Sequence, residues 1–123
     1  MDMTRKTFII KNREVIVDNI DLIKMVNGGF IIKFNNGSLV YFKEDMKLNT
    51  LKKELIAKGY RNFVPIQQFL VNINNIMEIL DNDPNETIVT LIFNKNEENI
   101  ELNSREELYS LGLKTRDKQS NTL

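Results

Sequence analysis

The chain has 123 residues, 41% of them hydrophobic and 28% charged, and its 17 basic and 17 acidic side chains leave no formal net charge. It contains neither Cys nor His, which excludes disulfides, zinc–thiolate sites and imidazole acid–base or metal chemistry. No stretch approaches the roughly 20 apolar residues of a membrane span, and the opening MDMTRKTFII has neither the apolar core nor the small-residue cleavage site of a signal peptide, so the expectation is a single cytoplasmic domain with a core that needs no covalent staple.

In chain order, TFIIK and EVIV read as strands flanking a hairpin turn at Asn12-Arg13. IDLIKMV alternates in part and stops at NGG, where Asn and Gly tolerate positive φ. FIIKF, NNGS and LVYFK continue as a meander with tight turns. The period then changes. Leu48, Leu51, Leu55 and Ile56 recur at helical spacing with lysines opposite, which predicts a helix over about 46–58, with Asp45 as N-cap and Gly59 as the terminating glycine.

NFVPI is a short strand whose Pro65 places it at a sheet edge or strand end. QQFLVN is too short to classify by period. NIMEIL and TIVTLIFN read as strands separated by the DNDPNE turn, and KNEE turns into NIEL. Asn103 or Ser104 caps a short helix over about 104–111, with Glu106 or Glu107 as the capping-box partner and Gly112 as its end. The expected fold is mainly β with short helices and antiparallel sheets, a single domain over 1–112 and a polar, frayed tail over 113–123.

The charge is unevenly spread. Residues 1–66 carry 12 basic and 7 acidic side chains, whereas residues 67–123 carry 5 and 10. Such asymmetry can give a basic and an acidic face, or can vanish when the halves interleave. Asp81, Asp83 and Glu86 in DNDPNE start like a calcium loop but lack its central Gly and terminal Glu, so a solvated turn is the stronger reading. Neither NGG nor NNG leads into a phosphate-binding helix. No catalytic constellation, cofactor site or metal site emerges, and an enzyme is not expected.

The unusual segment is QQFLVNINNI, residues 67–76, in which five of ten positions are Asn or Gln and none is charged. It is either an ordinary loop or a surface that reads base edges, a task for which amides are suited. Together with the preceding LKKEL and YRNFVPI, and the following strands and IELNSREEL, it resembles the LytTR DNA-binding domain family. The likeness is carried by Phe69, Leu70, Val71 and Asn72, by Ile76 and Ile79, and by Ser104-Arg105, and extends as a pattern over roughly residues 5–112.

The resemblance implies small antiparallel sheets stacked into an elongated body, and a stand-alone transcriptional regulator that places loops rather than a recognition helix into successive major grooves of double-stranded DNA. It implies three DNA-facing groups: the turn at Asn27, Gly28, Gly29 and Phe30; the run Ile66, Gln67 and Gln68, where the family keeps His-Arg-Ser; and Arg105, with Ser104 beside it. Lys24, Lys33 and Arg61 would add phosphate contacts.

Asn72 suits a fold role, satisfying buried backbone groups with its amide. The run has lost the family's His and Arg and gained two glutamines, which leaves the reading segment uncharged, and phosphate neutralisation is the main source of DNA affinity. Two functions are therefore carried forward. In one, the chain is a DNA-binding regulator, acting as two copies on a repeated site. In the other, it is a LytTR-like module that has lost or weakened DNA binding and contacts another regulatory protein. A continuous positive face joining Asn27, Gln67 and Arg105 would favour the first.

Overall fold

Short alternating runs separated by turns can bury their apolar side chains only by pairing into sheets and stacking those sheets. The computed structural model describes residues 7–10, 12–81, 85 and 87–111. Strands β1 (Thr7–Ile10) and β2 (Arg13–Ile16) form a hairpin. The central sheet contains β3 (Ile20–Val26), β4 (Gly29–Phe34), β5 (Leu39–Phe42), β6 (Phe63–Ile66) and β7 (Phe69–Asn72) in the order β5-β4-β3-β7-β6. Helix α1 (Leu48–Ala57) connects β5 to β6. A third sheet has the order β10-β9-β8, from β8 (Glu78–Leu80), β9 (Ile88–Ile92) and β10 (Glu97–Glu101). Every strand pair is antiparallel, and 3-10 turns occupy Val17–Asn19, Ile73–Asn75 and Arg105–Leu111.

The central sheet is covered on both faces. Ile23 and Leu70 point into a core with Phe8 and Ile10 of the hairpin and Leu51 and Leu55 of α1. Their neighbours Leu22 and Val71 point the other way, onto Val89, Leu91 and Ile100 of the third sheet and Leu108 of the last 3-10 turn. This explains why all four residues of FLVN are buried: a strand covered on both sides has no solvent face. Pro65 lies in β6, which is indeed an edge strand of the central sheet.

Helix α1 stops as its glycine predicts. Gly59 has φ +97°, its N–H donates to Ile56 O, and the N–H of Tyr60 donates to Leu55 O, the paired bonds of a Schellman motif. The start differs from expectation. The helix begins at Leu48 with Lys47 as N-cap and no side-chain cap, because the chain leaves β5 without regular structure through 43–47 and leaves Asp45 outside the capping position. The first turn also sits one residue earlier than predicted. Arg13 already pairs with Ile10, and Asn12 takes the left-handed backbone at φ 67°. NIMEIL is not one strand, since Ile73–Asn75 forms a 3-10 turn before β8. Gly112, the tail over 113–123, and Asp83 and Glu86 lie outside the described residues.

Candidate nucleic-acid interface

The antiparallel register decides which turns are neighbours. Val26 faces Gly29 across the two-residue turn Asn27-Gly28, and Ile66 faces Phe69 across Gln67-Gln68. Lys24 of β3 pairs with Phe69 of β7, and the N–H of Met25 donates to Gln68 O at 2.8 Å. Both turns therefore emerge at the same end of the central sheet. Of the expected group 27–30, only Asn27 and Gly28 form the turn. Gly29 and Phe30 are buried in β4, as is Ile66 in β6.

The two turns are built differently. Gly28 carries the positive φ, +83°, at the second position, the place a type II turn reserves for glycine. In the other turn the first position is left-handed, with Gln67 at φ 54°, where type II′ hairpins normally place Gly. A glutamine held there is under backbone strain, and the structure supplies the restraint. Gln67 Nε2 donates to the Glu107 carboxylate, 3.1 Å from Oε1 and 3.3 Å from Oε2. Glu107 Oε1 also accepts the backbone N–H of Asn103, and the Glu107 N–H donates to Ser104 O at 3.1 Å.

Glu107 thus closes the start of the last 3-10 turn and ties it to the Gln67-Gln68 turn. Ser104 is exposed, Arg105 opens the 3-10 segment, and this brings both beside the glutamine turn; the Arg105 side chain lies outside the described residues. Gln68 is exposed. An open groove beside the turn is lined by Gln67, Gln68, Phe69, Asn99, Glu101 and Asn103.

The expected phosphate contacts fare differently. Lys33 Nζ donates to Glu98 Oε1 at 2.6 Å, and Lys24 Nζ lies 3.5 Å from Glu98 Oε2 and 5.5 Å from the centre of the Phe69 ring. One carboxylate of β10 therefore engages both lysines. Arg61 is exposed but precedes β6, so that strand separates it from the glutamine turn. Among the described residues, the face is a patchwork of amides, paired lysines and Glu98, Glu101 and Glu107 rather than a continuous run of free cations.

The other amides of QQFLVNINNI hold the fold. Asn72 Nδ2 donates to Ile20 O at 2.8 Å, while its Oδ1 accepts from Asn62 Nδ2 at 2.6 Å and from the Asn74 N–H at 3.1 Å. Asn75 Nδ2 reaches Asp18 O, Ile20 O and Asp21 Oδ1. The β3–β4 register slips between Ile20 and Leu22, which makes Asp21 the extra residue of a bulge. Asp21 is buried, and its second oxygen accepts from Asn96 Nδ2 at 2.7 Å. Burial pushes the Asp21 carboxyl above its usual range, and the bonds from Asn96 and Asn75 partly offset this.

No family model and no curated protein matches the chain. Among solved structures it is similar to the LytTR DNA-binding domain of a protein described as a methyl-accepting/DNA response regulator from Bacillus cereus, with a TM-score of 0.59 and 12% identity over 89% of this chain and 97% of that one. The fold is LytTR-like. Within that LytTR-like frame, sequence reading missed Glu107 as the partner of Gln67 and Glu98 as the partner of Lys24 and Lys33. The capping pattern marked Glu107, but nothing local marked its contact 40 positions away. No group of three or more His, Cys, Asp or Glu able to hold a metal occurs among the described residues, and no helix there is long and apolar enough to cross a membrane.

Proposed function

We propose that this chain is a transcriptional regulator that binds duplex DNA with the end of the central sheet formed by Asn27-Gly28, Gln67-Gln68 and Ser104-Arg105, as two copies on a repeated site. The observation that carries the reading is the meeting of two exposed turns and the start of a 3-10 segment at one end of a LytTR-like fold. Amides there are matched to adenine edges in the major groove, while Arg105 supplies the positive charge. Affinity should be modest and lost at high salt, since Lys24 and Lys33 beside this end are already engaged by Glu98 and cannot displace counterions. Fluorescence anisotropy on the DNA upstream of its own gene tests this. Binding should be present at about 50 mM salt and fall with Arg105→Ala. Absence of binding to any candidate promoter at that salt overturns it.

A second reading is favoured by one specific observation, the engagement of Lys24 and Lys33 by Glu98. In that reading the domain contacts another LytTR-type regulator instead of DNA. Adding it to such a regulator on its operator would then release the DNA, while the domain alone would shift none.

A further inference from the structure

The glutamines are adjacent in sequence but not equivalent in space. Reading adenine with a glutamine takes both ends of the amide: the NH2 donates to N7 and the carbonyl accepts from N6. In Gln67 the NH2 group already faces both oxygens of Glu107. Its backbone is left-handed, and its side chain is half-buried. Freeing it would break a charge-assisted contact and leave Glu107 with less compensation beside an incoming polyanion. Gln68 is exposed, and among the described residues its amide makes no hydrogen bond. Its backbone is anchored, because Gln68 O accepts from the Met25 N–H.

We propose that, within the DNA-binding reading above, Gln68 determines base preference while Gln67 and Glu107 are positioning residues that lock the turn to the Ser104-Arg105 segment. The Gln67–Glu107 contact joins two elements 40 positions apart, and Glu107 simultaneously fixes the Asn103 backbone. The turn carrying Gln68 and the segment carrying Arg105 are thereby held at one spacing. Holding the two contacts at one spacing spares the cost of ordering them on binding, so the lock raises affinity without itself selecting a base. The negative charge of Glu107 in this position serves the lock: Gln67 Nε2 and Asn103 N both donate to the carboxylate.

Selection from randomised duplexes, followed by affinity measurement on the selected site, tests the assignment with three proteins: wild type, Gln68→Ala and Gln67→Gly. Glycine suits the left-handed φ, so Gln67→Gly removes the lock without adding strain to the fold. Gln68→Ala should flatten the adenine preference at one position by about tenfold and leave the other positions as they were. Gln67→Gly should keep the preferred sequence and weaken binding several-fold to every sequence alike. If Gln67→Gly erases a base preference and Gln68→Ala does not, or if neither changes anything, the assignment is overturned. If the wild type selects no sequence and binds no duplex, the DNA-binding reading itself fails and takes the assignment with it.

Discussion

The side-chain amide of Asn72 donates to the carbonyl of Ile20 at 2.8 Å, spanning 52 positions of sequence. Asn72 is buried, and the same amide accepts two further hydrogen bonds from Asn62 and Asn74. It fastens the end of β7 to the start of β3, beside the bulge at Asp21. Replacing it by Ala removes three hydrogen bonds, leaving Ile20 O with the longer 3.2 Å bond from Asn75 Nδ2 and taking the acceptor from the Asn62 and Asn74 donors, each loss costing on the order of 1 kcal/mol. Asn72→Ala should therefore lose about 2–4 kcal/mol in urea unfolding, a large share of a small domain's stability. A loss within the scatter of ordinary surface substitutions would mean that water replaces the amide.

Asp21 makes an opposite kind of prediction, one about pH. Its folded carboxyl is pushed above the usual 3.8 by burial. A raised carboxylate value means that the fold favours the protonated form. The associated stability is fully present below about 3.8, the unfolded value, and is lost as pH rises through the higher folded value. Asp21→Asn removes this dependence and keeps only one of the two acceptors used by Asn75 and Asn96. Wild type should thus gain on the variant as pH falls from about 7 to about 4, measured as the difference of their unfolding free energies. A constant difference would show that Asp21 does not titrate differently in the fold.

Gly28 and Gly29 should respond differently to alanine. At Gly28 the obstacle is the backbone alone, since φ is +83° and an added Cβ would lie 3.6 Å from Tyr41 Oη. Gly28→Ala should cost about 1–2 kcal/mol. At Gly29 an added Cβ would sit 2.0 Å from the Phe42 carbonyl oxygen, so β5 must separate from β4. Gly29→Ala should be the more damaging, and hydrogen exchange should rise across Leu39–Phe42 in that variant only. Equal losses at both positions would show that β5 adjusts without cost.

Much of this architecture was legible locally. Partial alternation marked β3, the flanking turns marked β4, Asn27-Gly28 marked the turn between them, and the leucine spacing with Gly59 marked α1, because each signal is carried by residues within a turn or two of one another. Three features were not legible. The Gln67-Gln68 turn contains no residue that prefers a left-handed backbone, and its conformation depends on Glu107 and on the Met25–Gln68 bond. The bulge at Asp21 is supported by Asn75 and Asn96, both far along the chain. Lys24 and Lys33 read as unpaired cations because Glu98 lies 65 positions beyond Lys33. In each case a polar contact between distant segments outweighed the local preference.

That last pairing distinguishes the two proposed functions. Glu98 neutralises Lys24 and Lys33 with its side chain only 10% exposed. Glu98→Gln keeps the shape and an acceptor but removes the charge, so both lysines become available to phosphates. If the sheet end binds DNA, the variant should bind more tightly at about 50 mM salt and weaken faster towards about 200 mM, with its log–log slope steeper by up to about 2. The ion pairs are partly solvated, so the stability change should stay within about 1 kcal/mol, and unfolding measurements would separate a folding defect from a binding effect. If the sheet end instead meets another protein, the variant should bind duplex only as weakly as the wild type, and its loss would appear in displacement of the partner regulator from its operator.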